Sequence, residues 1–382
     1  MPEHGKLWKA KREVKRLGTQ LAELPSNLAS RYFAAPYYDA VHARKIKTTA
    51  GDIAEGAKTA IYLIFPSQGV LTSHLHALGW LRDRGISPLV VSNLPLSPDD
   101  VERLRPFSWQ ILERPNIGYD FGGYRDGVLH LADQRVDLDQ LLLLNDSAWF
   151  PLPGAQDWLD EVAALNVDYA GAATNFGMPR VDPEQFMDQV WDYKSTHRNF
   201  HYTSYALAIG SKILSNPAFR NFWRRFPMSN RKKRTVRRGE IGLTQWVLRN
   251  GYSHAAALDL TDLDTALAAL PKDQLLALSH NIMVPEDARL TALKARILAG
   301  TPDTQTLANF ILMATARQGM SYALQAYTIG ERGFAFLKKS PLWLNAEARD
   351  ITLAITSNLS GEAGQMIHEE AKALAAPDTR SS

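Results

Sequence analysis

The sequence predicts an α/β protein built around an open, mostly parallel sheet flanked by helices. From residue 58 onward, short apolar runs such as Ala60–Phe65 alternate with segments of helical periodicity such as Leu71–Arg84. A continuous apolar run indicates a strand that is buried on both faces, as in parallel sheets. Strands that alternate with helices form right-handed βαβ units, which place the strands side by side in one sheet.

The same patterns continue to about residue 261 and distinguish this part from both ends of the chain. Further strands are predicted at Pro88–Ser92, Trp109–Leu112, Gln140–Leu144, Tyr169–Ala173 and His201–Ile209. Helices are predicted at Asp99–Leu104, Gly122–Ala132, Trp158–Leu165, Lys212–Phe226 and Ile241–Arg249. We therefore expect a basic helical arm at residues 1–57, a central domain at 58–261 and a helical C-terminal region at 262–382.

Composition excludes several classes of function. The net charge of the 382 residues is only +3, which is too small for a protein whose main partner is nucleic acid. The chain contains no cysteine, which excludes disulfides, thiolate metal sites and a cysteine nucleophile. No apolar run reaches the ~18 residues that a membrane span needs, and no signal peptide is recognisable. These features predict a cytoplasmic protein.

The predicted N-terminal arm combines an apolar stripe with a cluster of positive charges. The stripe has the spacing of one helix face and consists of Leu7, Ala10, Val14, Leu17, Leu21 and Leu24. The positive charges lie between Lys6 and Arg16. Three interpretations stay open: the helix docks on its own protein, it contacts anionic lipid at the inner face of the cell membrane, or it forms a coiled coil in a homodimer.

Polar residues follow the first two predicted strands of the central domain. Ligands of open α/β sheets bind beyond the carboxyl ends of the strands, so these positions are candidates for a binding site. Ser67 and Gln68 follow the first strand, and Asn93 follows the second. Asn93 presents both a donor and an acceptor, as recognition of a pyrimidine edge would need. The alternative for each of these loops is an ordinary turn.

The loop after the third predicted strand has a composition that packing alone would not require. Polar residues alternate there with glycines, at Arg114, Asn116, Gly118, Asp120, Gly122 and Gly123. The glycines allow close approach of a ligand near a helix N-terminus, which suits phosphate. Arg114 could bind a diphosphate with its planar fork, and Asp120 could accept from ribose hydroxyls. The order of the glycines differs from the dinucleotide-binding fingerprint.

The next predicted strand ends in Asn145, Asp146 and Ser147. A carboxylate at this edge of the sheet could hold Mg²⁺ or Mn²⁺ against a diphosphate. An Asn-Asp pair is also common in turns and helix caps, so the pattern alone leaves both interpretations open. His254 is a further candidate ligand that could complete a metal site with Asp146, although lone histidines beside strands are more often structural.

Two more features lie downstream. Glu240 precedes a predicted helix, where it is either an acid favoured by the helix dipole or a general base, with His201 as the second candidate. The segment Arg231–Arg238 holds six basic residues. Such a run usually forms a solvated, mobile loop. Beside an active site it could also contact phosphates of a lipid-linked acceptor or an anionic membrane surface.

Several of these segments together resemble the rhamnan synthesis protein F family. The resemblance is carried by RPNIGYDFGGYRDG and LLLLNDSAWFPLP, with YLIFPSQG, VVSNLPLS, HYTSYALAIGS and EIGLTQWVLRNGY in support. It covers roughly residues 58–260. The family implies a glycosyltransferase of GT-A-like fold that takes part in bacterial surface-polysaccharide assembly.

The resemblance implies roles for individual residues. Asn93, Arg114, Asn116, Gly118 and Asp120 would contact the nucleotide part of a nucleoside-diphosphate sugar. Gly122, Gly123 and Asn145 would complete that site, and the acceptor would be a glycan or a lipid-linked glycan. Asp146 would occupy the place of the metal-binding acidic motif of GT-A enzymes. A single acid between Asn145 and Ser147 departs from the Asp-x-Asp pattern, so Arg114 or Arg231–Arg238 could replace the ion.

The implied reaction is the transfer of a sugar, with rhamnose as the family-level expectation. An inverting displacement needs one general base, for which Glu240 is the candidate. The main alternative is a nucleotide- or glycan-binding scaffold without catalysis, in which the arm and the C-terminal helices recruit other polysaccharide enzymes. A Ser-His-Asp hydrolase is discounted because no G-x-S-x-G motif is present.

Overall fold

A computed structural model describes residues 32–284 and 287–376 of the chain. The apolar stripe and the Lys6–Arg16 cluster lie outside the described residues, so the three interpretations of the arm stay predictions. No helix within the described ranges is long and apolar enough to cross a membrane.

The strands and helices of the described residues alternate over most of the central part of the chain. The strands are β1 (Lys47–Ala50), β2 (Lys58–Ile64), β3 (Ser87–Ser92), β4 (Gln110–Glu113), β5 (Gln140–Asn145), β6 (Ala148–Trp149), β7 (Tyr169–Gly171), β8 (Thr174–Asn175), β9 (His201–Tyr202), β10 (Ala206–Gly210), β11 (His254–Ala256) and β12 (Leu337–Lys338). The helices of the first two thirds are α1 (32–41), α2 (Thr72–Asp83), α3 (Pro98–Leu104), α4 (Tyr119–Asp133), α5 (Trp158–Leu165), α6 (Ser211–Leu214), α7 (Pro217–Arg224), α8 (Lys232–Arg238) and α9 (Glu240–Arg249). The remaining helices are α10 (Leu263–Ala268), α11 (Lys272–His280), α12 (Ala288–Ala299), α13 (Thr304–Gln318), α14 (Met320–Ala323), α15 (Gln325–Arg332), α16 (Ala346–Ser357) and α17 (Gly361–Ala375).

The main sheet has eight strands in the order β1-β4-β3-β2-β5-β10-β7-β11. Strands β4, β3, β2 and β5 are parallel neighbours, and β11 is parallel to β7. Strands β1 and β10 run antiparallel to their neighbours. The predicted open, mostly parallel sheet flanked by helices is confirmed. Its strand order reverses between β2 and β5, and such a switch point is where open α/β sheets bind ligands.

Both faces of the sheet are buried, which is why its strands are continuous apolar runs. In β2, Ala60, Tyr62 and Ile64 belong to the hydrophobic cluster on one face. Ile61 and Leu63 belong to the cluster on the other face. Successive side chains of a strand point to opposite faces of the sheet. When both faces are buried, apolar side chains are therefore favoured at every position of the strand.

Several local features differ from the sequence prediction. Strand β1 lies within the predicted helical arm and pairs with β4 as an edge strand. The predicted strand His201–Ile209 is two strands, β9 and β10. The predicted helix Lys212–Phe226 is interrupted by Asn216, whose side chain caps α7 in front of Pro217. The C-terminal region is mainly helical but also contributes β12, which pairs with β6.

Helix α17 is attached to the sheet domain through the buried carboxylate of Glu370. The Glu370 carboxylate accepts from Lys339 Nζ at 3.0 Å, from Ser73 Oγ at 2.7 Å and from Trp149 Nε1 at 2.9 Å. Burial by itself raises the pKa of Glu370, but the Lys339 charge and these hydrogen bonds hold it below its usual value. The C-terminal region is therefore held against α2 and β6 by the hydrogen bonds of Glu370 to Ser73 and Trp149, while the buried pair with Lys339 joins two parts of the C-terminal region itself.

Removal of Glu370 should destabilise the protein strongly. The Glu370→Ala change leaves the Lys339 ammonium, whose side chain is only 6% exposed, without its carboxylate. Breaking one side of a buried pair costs about 3–5 kcal/mol, measurable as the free energy of urea unfolding. The matched control is Glu369→Ala, because Glu369 is 61% exposed and pairs only with Lys372. Equal effects of the two changes would contradict the role assigned to the buried pair.

Candidate active site

Asp146 lies where the carboxyl ends of β2 and β5 meet. Its backbone N–H donates to Leu63 O at 3.0 Å, which continues the pairing of the two strands by one residue. Its carboxylate oxygen Oδ2 accepts from Phe65 N at 2.7 Å and lies 3.3 Å from His74 Nε2. The carboxylate is thus held at the switch point of the sheet by backbone from the neighbouring strand and by one histidine.

The histidine is oriented by the first turn of α2. Leu71 N donates to His74 Nδ1 at 3.1 Å, so Nδ1 accepts and the ring proton resides on Nε2, which faces Asp146. Burial acts to raise the pKa of Asp146, but His74, Lys339 and the Phe65 amide outweigh it and keep the pKa below its usual value. Asp146 is therefore ionised at neutral pH.

Asp120 lies in the first turn of α4, which packs on the face of the sheet opposite to α2. Asn145 Nδ2 donates to Asp120 Oδ2 at 3.3 Å and to the Tyr124 hydroxyl at 3.1 Å. Burial raises the pKa of Asp120 to about 6; the Lys338 charge lowers it, and the charges of Glu240 and Asp146 raise it. The charges of Glu240 and Asp146 therefore act on Asp120.

Glu240 is the first residue of α9, where the helix dipole favours a carboxylate. Its Oε1 accepts from Ser204 Oγ at 2.5 Å, and its Oε2 lies 3.5 Å from His201 Nε2. His201 Nδ1 lies 2.7 Å from Asn199 O, so Nδ1 carries a proton. Burial acts to raise the pKa of Glu240, but His201, Ser204 and Lys338 keep it below its usual value.

Lys338 brings a positive charge to Asp120 and Glu240 from the C-terminal part of the chain. The short ribbon of β6 and β12 pairs Lys338 with Ala148, next to the end of β5. Its Nζ donates to Ser147 Oγ at 2.7 Å and lies 4.7 Å from the centre of the Tyr205 ring. Within the described residues no carboxylate lies within 4.0 Å of this ammonium. Lys338 is absent from the sequence prediction because nothing in a two-residue strand signals its pairing.

Arg114 and Asn93 lie in a buried network beneath the glycine-containing loop. The Arg114 guanidinium donates to Asp126 Oδ2 at 2.6 Å, to Asn93 Oδ1 at 2.5 Å, to Ile117 O at 2.7 Å and to the Tyr38 hydroxyl at 3.1 Å. Its side chain has no exposed surface. The N–H groups of the guanidinium thus donate to acceptors of the protein itself. This geometry suits a residue that positions the loop rather than one that binds a diphosphate.

The glycines of this loop allow close packing. A Cβ on Gly122 would lie 2.1 Å from Ile117 O, and one on Gly123 would lie 2.3 Å from a Leu63 methyl group. Gly118 has a φ of +91° and its N–H donates to Asn230 Oδ1 at 3.0 Å. Gly122 and Gly123 therefore let the first turn of α4 pack directly on β2 and on its own loop.

The remaining predicted binding residues follow strands at the same edge of the sheet. Ser67 and Gln68 follow β2 and Asn116 follows β4, all three with exposed side chains. Tyr119, which the sequence prediction did not include, has a φ of +51° and is 42% exposed at the start of α4. A bulky residue in this left-handed conformation is strained, and such strain is concentrated at functional sites.

The predicted metal site of Asp146 and His254 is wrong. His254 pairs with Tyr169, Tyr169 pairs with Ile209, and Ile209 pairs with Leu141. His254 is therefore at the level of Leu141, near the start of β5, whereas Asp146 follows the end of that strand. It is also three strands away in the sheet, roughly 14 Å at the usual strand spacing. Among residues 32–284 and 287–376, no three acidic or histidine side chains are grouped to hold a metal ion.

The basic segment Arg231–Arg238 contains helix α8 rather than a loop. Arg231, Lys232 and Lys233 are exposed at its start. The segment adjoins the site through Asn230, whose backbone oxygen accepts from the Tyr119 hydroxyl at 3.1 Å. The charge of Lys232 also lowers the pKa of Asp120, after the larger effects of burial and of Lys338.

Comparison with known families identifies the group to which the chain belongs. Residues 89–325 match the family described as rhamnan synthesis protein F, which is more than half of the chain. The chain belongs to this family, and the predicted resemblance is confirmed. The matched segment begins within β3, later than the predicted start of the resemblance, and extends past α14 into the helical C-terminal region.

Individual relatives define the extent of the similarity. A protein of Sinorhizobium fredii (strain NBRC 101917 / NGR234) described as uncharacterized protein y4gN is 33% identical over 234 residues. The match covers 61% of this chain and 57% of that protein, so the chain spans little more than half of its relative.

Two solved structures are similar to the chain at low identity. One is a mannosyltransferase, PcManGT from Pyrobaculum calidifontis in complex with GDP-Man and Mn²⁺, at 12% identity and a TM-score of 0.34, covering 94% of this chain and 93% of that one. The other is S. aureus TarS 1–349 in complex with UDP-GlcNAc, at 11% identity and a TM-score of 0.32, covering 83% of each chain. These values are too low to transfer a function.

The raised pKa of Asp120 predicts a pH-dependent gain in stability for Asp120→Asn. The folded protein holds this proton up to about pH 6, whereas the unfolded chain releases it near 3.8, so the wild type loses stability as pH rises through that window. The variant should equal the wild type near pH 4 and exceed it by on the order of 2 kcal/mol at pH 7. Urea unfolding at both pH values measures this difference, and Asp133→Asn at the exposed end of α4 is the control. A difference that does not change with pH would contradict the raised pKa.

Proposed function

We propose that the chain is a GT-A-like glycosyltransferase that moves a sugar from a nucleoside diphosphate to a growing bacterial surface polysaccharide or lipid-linked glycan. The observation that carries this proposal is that hydrogen bonds through Asn145, Tyr124, Ser204 and Ser147 connect Asp120, Glu240 and Lys338 to the end of β5, beside Asp146 at the switch point of the sheet. Membership of the rhamnan synthesis protein F family supports it. Rhamnose is the donor sugar that we propose from the family.

The chemistry that we propose is a single inverting displacement. An acceptor hydroxyl gives its proton to Glu240, and its oxygen forms a bond to the anomeric carbon of the donor. The bond between that carbon and the diphosphate oxygen breaks, and its electron pair leaves with the nucleoside diphosphate. Glu240 is the candidate base because its carboxylate lies at the start of α9, where Ser204 Oγ donates to it at 2.5 Å, and because it is ionised at neutral pH and can accept a proton.

The departing diphosphate needs positive charge, and we assign this role to Lys338. Its ammonium donates to Ser147 Oγ, its charge lowers the pKa values of Asp120 and Glu240, and no carboxylate lies within ion-pair distance of it in the described part of the chain. Preorganised charge aimed at a developing anion usually lowers the barrier of such reactions more than any other single effect. A divalent cation would supply the same kind of charge, with Asp146 as its protein contact, and no step of the proposal depends on one.

The donor would enter beside the exposed residues at the edge of the sheet. Ser67, Gln68 and Asn116 are the side chains that we propose for contacts to the nucleotide, with the strained Tyr119 beside them. Asp120 stays the candidate for the ribose hydroxyls. Arg114 and Asn93 act one layer below, where they hold the loop in place.

The base assignment predicts a large loss of turnover in Glu240→Gln. The amide cannot take the proton of the acceptor, so kcat should fall by about 10²–10⁴, measured as release of free nucleoside diphosphate in the presence of an oligosaccharide acceptor. The matched control is Glu362→Gln, because Glu362 also lies in the first turn of a helix, α17. Full turnover in Glu240→Gln would remove the assignment. The absence of any acceptor-dependent release by the wild type would favour the scaffold alternative.

The leaving-group assignment predicts weaker diphosphate binding in Lys338→Met. Affinity for the nucleoside diphosphate should fall at least about tenfold and kcat by roughly 10², with partial recovery in Lys338→Arg. Calorimetric titration in EDTA and again in Mn²⁺ separates the lysine from a metal ion. Lys212→Met is the control, since Lys212 is 68% exposed and pairs with Asp168 away from the site. An unchanged affinity in both buffers would show that Lys338 does not contact the diphosphate.

A further inference from the structure

A cavity of about 410 Å³ opens on the helical side of the molecule, apart from the carboxylates. Leu267, Leu275, Ala308 and Leu312 contribute apolar surface to it. Polar side chains complete the lining, chiefly Gln189, Asn309 and Gln305, together with the indole of Trp191. The residues that carry the proposed reaction do not line it. All of its lining residues fall within the segment that matches the family, 89–325.

The amide of Gln189 presents an acceptor that the described residues do not satisfy. Gln189 is only 7% exposed, and its Nε2 donates to Pro179 O and to Val190 O, both at 2.8 Å. Two carbonyl partners define which end of the amide is the nitrogen, so Oε1 is the remaining atom. Oε1 is buried and accepts no hydrogen bond within residues 32–284 and 287–376. A buried acceptor of this kind costs about 1–3 kcal/mol unless a donor reaches it.

The other polar walls of the cavity are already held in place. Asn309 donates to Met187 O at 3.1 Å and accepts from Gln305 Nε2 at 2.8 Å. Trp191 Nε1 donates to Leu260 O at 2.7 Å, which fixes the indole ring. A ligand would therefore find a formed site rather than one that it must order, which reduces the entropic cost of binding.

The lining defines the chemical class of the ligand. Among the described residues it contains no lysine, arginine or histidine, and the one carboxylate that they contribute is Asp264, so a nucleotide or another phosphate would find no positive partner there. Apolar walls, an indole ring and amide groups suit a neutral molecule with C–H faces and hydroxyl donors. The volume lies within the usual range of ligand sites, ~300–1,000 Å³.

We propose that this cavity is a second carbohydrate site, in which a neutral sugar residue of the acceptor glycan donates a hydroxyl to Gln189 Oε1. The proposal rests on the proposed function for the identity of the glycan. Because the cavity is separate from the carboxylates, it would hold a part of the glycan away from the end that is extended. Binding there would retain the growing chain between transfer steps.

The test measures glycan binding without turnover. The full chain carrying Glu240→Gln is titrated with neutral hexose and 6-deoxyhexose oligosaccharides by calorimetry and by saturation-transfer NMR. Ala308→Leu places two methyl groups and a methine carbon in the cavity without removing a hydrogen bond, and Gln189→Met removes the acceptor. Ala295→Leu on the exposed face of α12 is the matched control for the first change.

We expect the parent to bind at least one oligosaccharide and both cavity variants to lose affinity at least tenfold. Affinity for the nucleoside diphosphate should be the same in all of these proteins. The proposed site would be overturned if the parent bound no oligosaccharide. It would also be overturned if both cavity variants bound the oligosaccharide as tightly as the parent does. If the wild type shows no acceptor-dependent release of nucleoside diphosphate but binding still depends on Ala308 and Gln189, the proposed function fails while the carbohydrate site stands.

Discussion

The contact between β2 and β5 is the constraint on which the site depends. These strands are neighbours although two further strands and three helices separate them in sequence, and Asp146 extends their pairing through its N–H to Leu63 O. Phe65 N then holds the carboxylate itself. Every other charged group of the site is placed relative to this edge, by the first turns of α4 and α9 or by the ribbon of β6 and β12. If β2 and β5 separated, the acids would have no common space.

The acids of the site also differ in how strongly each holds its proton. Lys338 acts on Asp120 and Glu240 and Lys339 acts on Asp146, and the pKa values of the three acids diverge because their other partners differ. Asp146 and Glu240 each face a histidine that favours the ionised form, whereas Asp120 has mainly an amide partner and a raised pKa. Acids pushed apart in this way can take different roles at one pH. This division of roles underlies the choice of Glu240 as base.

The sequence predicted the sheet and the position of Asp146, because continuous apolar strands and the polar residues at their ends are local signals. It also placed Glu240 correctly at a helix start. The roles of Arg114 and of the glycines could not be predicted, since they depend on the distant Tyr38, Asp126 and Leu63. Lys338 and the Gln189 cavity were missed for the same reason. His254 was misplaced because the order of the strands in the sheet separates it from Asp146. Strand order cannot be predicted from a local sequence pattern.

The two proposed sites together describe an enzyme that holds a donor at the sheet edge and a glycan on its helical side. The central claim is that Lys338 and Glu240 flank the bond that breaks. A crystal structure of Glu240→Gln with a nucleoside-diphosphate sugar tests it most directly. We expect a diphosphate oxygen within hydrogen-bond distance of Lys338 Nζ, about 2.7–3.2 Å, with the anomeric carbon of the donor facing residue 240. A donor bound elsewhere, or with its diphosphate turned away from Lys338, would contradict it.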